Sequence, residues 1–151
     1  MSKPLAVVKS LDHLVLTCAS VPKTISWYTR HLGMKAETFT TPPTPPSTTP
    51  VQRHAIKFGT QKINLHQQGK EFEPKAATAL PGTADLCFLI EGNAGKEGDG
   101  LQSLVDGFRK EGMEVLEGGK VVSRTGAQGK LRSVYVRDPD GNLIELSQYS
   151  D

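Results

Sequence analysis

Cysteine is scarce in this 151-residue chain, with Cys18 and Cys87 as its two thiols. They form no CxxC pair and fall far below the density of a disulfide scaffold, which excludes a stapled secreted fold and an all-thiolate metal site. Both are expected as small buried residues of strands in a cytoplasmic protein. Long apolar runs are missing too. The longest early one, Leu5 to Val8, is too short for the core of a secretion signal or a membrane span. Charge of one sign is not in excess: 18 basic and 16 acidic residues leave a formal net charge of +2 at pH 7. The basic residues are dispersed rather than gathered in a stripe, so no nucleic-acid partner is expected. What remains, 36% hydrophobic and 23% charged residues, describes an ordinary soluble protein. The length suits one full-sized domain or two small modules sharing a core.

The order of elements repeats. Residues 11–17, "LDHLVLT", are rich in strand formers. "SVPKTISWYTRHLGM" then offers Ser20 as N-cap, Ile25, Tyr28 and Leu32 at helical spacing, and Gly33 as C-cap. Residues 83–90 read as a second such strand. "DGLQSLVDGFRKEGM" follows as a helix with Leu101, Leu104, Val105 and Phe108 on one face, closing on Gly112-Met113 as the first closes on Gly33-Met34. Three short strands are predicted after each helix: 35–39, 52–58 and 62–67 in the first half, and 114–122, 131–137 and 143–148 in the second. The last strands match in letters, "INLHQ" against "IELSQ". The expectation is therefore an α+β fold of two paired βαβββ modules, about 9–67 and 83–149, joined by a linker at 68–82. Their mixed sheets would curl around a shared cleft, with helices outside. "TTPPTPPSTTP", residues 40–50, is predicted to be an extended mobile loop.

Superposing the repeats sets His13 against Asp85 in the first strands and Asn64 against Glu145 in the last. His66 lies two residues beyond Asn64, about 7 Å along a strand and on the same face. A lone strand histidine is more often a core or rim residue than a ligand. Asp85 could cap the turn after Pro81-Gly82, and Glu145 could simply face water. Their joint appearance at repeat-equivalent positions turns the reading toward one nitrogen and oxygen ligand set, His13, His66, Asp85 and Glu145. Such a set suits Zn, Ni, Mn or Fe(II). His31 and His54 lack this geometry. Ser133, Tyr135 and Arg137 share a face of the seventh strand and are candidates to contact substrate. Arg124, in "SRTGAQGK", read as a Gly-rich loop, could hold a carboxylate or phosphate through a bidentate contact. A solvated surface charge is the alternative reading of both arginines.

Together, "LDHLVL", "SWYTRHLGM", the "DPDGNLIEL" ending and the paired module order resemble the vicinal oxygen chelate superfamily, over nearly the whole chain. This group includes glyoxalase I, methylmalonyl-CoA epimerase, extradiol dioxygenases and the fosfomycin- and bleomycin-resistance proteins. "INLHQQGKEFEPK" and "PGTADLCFLI" are most similar to its small glyoxalase-domain-containing and virulence-protein branch. The resemblance implies metal ligation by His13 and Glu145. The family's fifth-strand ligand, usually histidine, falls on Asp85, and its fourth-strand ligand falls on Asn64, with His66 two residues on. Asp85 and His66 thus both stand open as the third ligand.

The resemblance implies a divalent metal that binds two neighbouring substrate oxygens, with Glu145 as ligand and proton carrier by turns. The expected function is a metal-dependent lyase or isomerase acting on a small carbonyl compound or its thiol adduct. The alternatives are a metal-free protein that sequesters a drug or other small molecule, and an Fe(II) extradiol-type dioxygenase. Fosfomycin is not the expected substrate. Ser133 and Tyr135 match the phosphonate-contacting residues of the resistance transferases, but Val15 stands where they carry threonine, and their final arginine would fall past Asp151. A homodimer is expected.

Overall fold

The computed structural model describes residues 1–92 and 100–150, and Asp99, where the second helix is expected to start, lies outside them. The chain divides into two compact units, Met1–Leu80 and Pro81–Asp151.

The first unit runs β1 (His13–Cys18), α1 (Val21–Leu32), β2 (Lys35–Thr41), β3 (Val51–Phe58) and β4 (Gln61–Gln67). Helix α1 starts where the sequence places it: Ser20 is extended and its hydroxyl accepts the Lys23 N–H, while Pro22 presets the first turn. It stops at Gly33, whose φ of 65° is left-handed and favours a residue without Cβ. The sheet order is β1-β4-β3-β2, with β1 parallel to β4 and the rest antiparallel. Alternation along the strands sorts the side chains by face. Leu16, Cys18, Ile56, Ile63 and Leu65 are buried, as are Val21 and Tyr28 of α1. The opposite face is polar and carries His13, Lys62, Asn64, His66 and Arg53.

The second unit runs β5 (Asp85–Leu89), α2 (Gly100–Lys110), the single turn α3 (Leu116–Gly119), β6 (Val122–Gly126), β7 (Gly129–Arg137) and β8 (Leu143–Tyr149). Its sheet order, β5-β8-β7-β6, repeats the first unit's plan. Ile144, Leu146, Val134 and Val136 form the buried face of this sheet, and Leu101, Val105 and Phe108 are the buried residues of α2. The fold is thus α+β, as the sequence predicts.

The registers coincide position for position. His13 pairs with Lys62 and Val15 with Asn64; Asp85 pairs with Leu143 and Cys87 with Glu145. His13 therefore corresponds to Asp85 and Asn64 to Glu145, in agreement with the sequence repeat. By the same count His66 corresponds to Ser147, Ala55 to Tyr135 and Arg53 to Ser133.

One strand is displaced. Of the strand predicted at 114–122 only Val122 is in one: Glu117 and Gly118 have φ of 55° and 74°, and Gly119 also has positive φ. Three consecutive left-handed residues turn the chain, and pairing resumes only at Val122. The segment read as a Gly-rich loop is consequently β6, a tight turn and the start of β7, so Arg124 sits on a strand.

The "DPDGN" segment clasps the second unit. The Asp138 carboxylate accepts the backbone N–H groups of Asp140 and Asn142 and the Asn142 amide. The Asn142 side-chain oxygen Oδ1 in turn accepts the Ala84 N–H at 2.9 Å, and Leu143 N–H donates to the Ala84 carbonyl oxygen. These bonds fix where β8 begins beside β5, and hence which residue faces Glu145.

Candidate functional site

Glu145 lies between apolar neighbours because alternation sends Ile144 and Leu146 into the core and Glu145 to the other face. There it stands directly opposite Tyr135 on β7 and Cys87 on β5, while Ser147 stands opposite Ser133. The Tyr135 hydroxyl donates to Glu145 Oε1 at 2.5 Å. Oε2 is 2.9 Å from Ser133 Oγ, 3.0 Å from Ser147 Oγ and 3.4 Å from Cys87 Sγ. The two serine oxygens are 2.7 Å apart, and Cys87 Sγ is 3.4 Å from Ser147 Oγ. Five contacts around Oε2 are thus served by three protons, one each from Ser133, Ser147 and Cys87, so the protons are shared. Oε1 receives a single donor. A carboxylate oxygen has two lone-pair directions, which leaves Oε1 with acceptor capacity in hand.

Electrostatics follow from this arrangement. Burial pushes the Glu145 carboxyl up, but the hydrogen bonds from Tyr135, Ser133, Ser147 and Cys87 outweigh it and hold the group below its ordinary value. Glu145 is therefore anionic at neutral pH. Burial, followed by the bond to Glu145, pushes the Tyr135 phenol up to about 12, so it stays a donor. Burial also raises the Cys87 thiol. Arg124 backs the group: its Nε donates to the Tyr135 oxygen at 3.1 Å, and its terminal nitrogen lies 3.3 Å from Glu117 Oε2. A line of polar contacts thus runs Glu117–Arg124–Tyr135–Glu145.

The other candidate residues stand apart from this group or lie in the first unit. Arg137 and Asp85 are exposed and make no hydrogen bond or ion pair among the described residues. His13 is exposed, with Nδ1 2.7 Å from Asp12 Oδ2. His66 is buried beneath Phe72, with ring centroids 5.1 Å apart. Burial, and next the Arg53 charge, lower its pKa. The register sets His66 opposite Thr17, four positions beyond His13 and about 13 Å along the strand. Within neither unit do three His, Cys, Asp or Glu side chains gather as a metal cage among the described residues. Two groups nevertheless have the surroundings of ligands. Glu145 is anionic, oriented by hydroxyls and open at Oε1, and His13 is backed by a carboxylate. Each, taken singly, is a donor type that divalent ions accept.

Sequence reasoning passed over Ser147, Glu117, Arg53 and Phe72, and it took Cys87 for a small buried strand residue, whereas Cys87 lies on β5 but is exposed. Ser147 and Cys87 could have been found from the repeat, one being two residues beyond Glu145 and the other opposite it. Glu117 was hidden by reading its segment as a strand.

The family model of the glyoxalase/bleomycin resistance protein/dioxygenase superfamily matches residues 10–146. The chain belongs to that superfamily. Within it, the chain is 49% identical over 144 residues to a glyoxalase domain-containing protein, RDO1, of Mycosarcoma maydis, covering 95% of this chain and 70% of that one. It is 44% identical over 143 residues to virulence protein STM3117 of Salmonella typhimurium, covering 95% and 86%. The crystal structure of that virulence protein superposes with a TM-score of 0.78 over 96% of this chain and 100% of its own. A lactoylglutathione lyase from Agrobacterium tumefaciens shares the superfamily fold at 16% identity, with a TM-score of 0.58 over 93% and 94%.

Proposed function

We propose that the protein is a lyase or isomerase of the glyoxalase type that moves a proton on a small carbonyl compound or its thiol adduct. One observation carries this reading: Glu145 is a half-buried, anionic carboxylate held in place by neutral donors, with acceptor capacity left on Oε1. A positioned carboxylate of this kind can take a proton from a carbon next to a carbonyl. Tyr135 keeps its proton throughout. When Oε1 takes a proton on its second lone pair it becomes a weaker acceptor, and the phenol can turn its hydrogen to an oxygen gaining charge on the substrate. Arg124 holds the phenol oxygen during that change, and Ser133 and Ser147 keep Oε2 fixed. A divalent ion would supply Lewis-acid polarisation of the carbonyl when bound. Glu145 and His13 would ligate it, with Asp85 and His66 as candidates for the third ligand.

The test is hydrogen–deuterium exchange at the carbon beside the carbonyl, followed by proton NMR in D2O. Methylglyoxal with a panel of thiols serves as substrate, with and without added Zn, Ni or Mn. Exchange that falls by about 10²-fold or more in Glu145→Gln supports the proposal. If the parent protein catalyses no exchange under any of these conditions yet binds the adduct, it is a sequestering protein instead.

A homodimer and a cytoplasmic location belong to the same proposal. The first rests on the habit of symmetric assembly and the second on the scarcity of cysteine, with two in the chain. Sedimentation at micromolar concentration that shows monomer alone rejects the dimer. Among the described residues, no helix is long and apolar enough to cross a membrane.

A further inference from the structure

We infer that residues 1–11 form a docking arm whose partner is the second unit of another copy of this chain. The inference rests on the homodimer proposed above and names what holds it; it does not depend on the proposed reaction. The arm precedes β1, belongs to no helix or strand, and is exposed at every residue. Leu5 is as accessible as in a free peptide, and Val7 and Val8 are 85% and 87% exposed. Among the described residues its one hydrogen bond is at its root, where the Gln61 side-chain amide donates to the Leu11 carbonyl oxygen at 3.1 Å.

Composition sets this arm apart from an ordinary exposed tail. Such tails are polar and rich in charge. Leu5-Ala6-Val7-Val8 is instead apolar on both sides of an extended chain, the pattern of a strand covered on both faces. The arm's own unit does not need it as core, since Tyr28, Ile56, Ile63 and Leu65 are buried without it.

Charge points to the partner. The first unit holds 10 basic and 4 acidic residues and the second 8 basic and 12 acidic, so the acids are unevenly shared and the units carry opposite net charge. The arm has the first unit's sign, with Lys3 and Lys9 as its charged side chains. Laid on the second unit of another copy it gains attraction, and a two-fold dimer makes that contact twice. The second unit also offers a landing surface. Its exposed large hydrophobic residues, among those described, are Leu89 at 60% and Tyr149 at 40%. They are diagonal neighbours on one face of the sheet, because Leu89 pairs with Ser147 and Tyr149 lies two residues further on. Glu91, level with Tyr149, is exposed and makes no ion pair among the described residues. Pairing holds this end together: Ile90 N–H donates to Ser147 at 2.9 Å and the Gln148 side-chain amide to the Glu91 carbonyl oxygen at 3.2 Å. Tyr149 is four residues past Glu145, about 13 Å along the strand, and takes no part in the Glu145 hydrogen bonds. An apolar pair beside an acid thus matches the arm's Val7 and Val8 beside Lys9.

Sedimentation of the full chain over a range of micromolar concentrations is the test. The parent should dimerise. Val7→Asp should weaken the dimer by at least about 10²-fold, since a buried valine is lost and a charge is buried twice per dimer. Lys9→Glu and Glu91→Lys should each weaken it by about tenfold, and the two together should recover most of that loss, because the pair is restored with its signs exchanged. All three residues are exposed in the single chain, so the variants should keep their fold, which circular dichroism checks. A dimer unchanged by Val7→Asp overturns the inference and leaves the homodimer standing. A parent that is monomeric throughout overturns both. Losses that merely add in the double exchange place the arm elsewhere and overturn the inference. So does an arm whose Val7→Asp change spares the dimer but abolishes binding to phosphatidylserine vesicles, since its partner is then an anionic membrane.

Discussion

A methyl group on Gly82 tests the clasp that aligns β5 with β8. Gly82 has φ of 78°, and a Cβ built on it would lie 2.5 Å from the backbone oxygen of Asp140. Real Cβ contacts essentially never fall under 3.0 Å, so the two backbones must separate by about 0.5 Å. Two costs add. Alanine in the left-handed region costs about 1–2 kcal/mol. Parting the strands loosens the Ala84 N–H to Asn142 bond, and an unsatisfied buried group costs about 1–3 kcal/mol. The stiffer unfolded chain returns about 0.4–1 kcal/mol. The net loss for Gly82→Ala is therefore about 1.5–4 kcal/mol. Urea unfolding measures it, and at a slope of about 1–3 kcal/mol/M the midpoint should fall by about 0.5–4 M. Gly141→Ala is the control, because Gly141 in the same clasp also has positive φ, 85°, but nothing lies within 4 Å of its Cβ. That variant should show the dihedral cost alone. If Gly82→Ala is no less stable than Gly141→Ala, the close approach does not hold the clasp and the reasoning fails.

Tyr135→Phe removes a hydrogen bond that holds the Glu145 carboxyl low, so the Glu145 pKa should rise, as read by carbon-13 NMR of its carboxyl. The sign for stability follows. A depressed carboxyl stabilises the fold above its unfolded pKa and loses that contribution as pH falls through the folded value. Acid destabilisation in that window should accordingly be shallower in the variant, and an unshifted carboxyl would show the phenol contact to be unimportant. Glu145→Gln and His13→Ala should each lower affinity for Zn, Ni and Mn by calorimetric titration while leaving the fold intact. Binding as tight as in the parent protein would place any metal elsewhere. Limited proteolysis should cut first in the exposed, Pro/Thr-rich connection at 42–50; early cleavage at 113–122 with protection at 42–50 would count against that.

The parts of the fold written in local rules were legible. Ser20 and Gly33 gave α1 its ends, although of the predicted face Ile25, Tyr28 and Leu32 only Tyr28 is buried, beside Val21 and Thr24, and strand alternation explained Glu145 without any partner being known. The repeat went further, since its element order anticipated a register that the two sheets share residue by residue. The failure at 114–122 has a local cause as well. "LEGGK" carries two adjacent glycines, and weighting the β-prone residues on either side hid what those glycines do to the chain. The site was legible only in part, for a different reason. Ser133 and Tyr135 were found because they share a strand face, whereas Cys87 and Arg53 matter through cross-strand register. That register is set by the clasp at 138–142 and by sheet pairing, not by the residues near them in sequence. His13 and His66 show the same limit. Equal parity along two strands says which face a side chain takes, but not how far apart two side chains lie.

The matched registers also make one half of the protein a template for rebuilding the other. Asn64 stands where Glu145 does, Ala55 where Tyr135 does, and Arg53 and His66 where Ser133 and Ser147 do. Arg53→Ser, Ala55→Tyr, Asn64→Glu and His66→Ser, made together, would transplant the hydroxyl cradle of the second sheet onto the first. Only the flanking positions Val15 and Thr41, which correspond to Cys87 and Arg124, would keep the host's residues. Such a graft would show whether a carboxylate's acidity is written in four side chains or in the whole sheet that presents them.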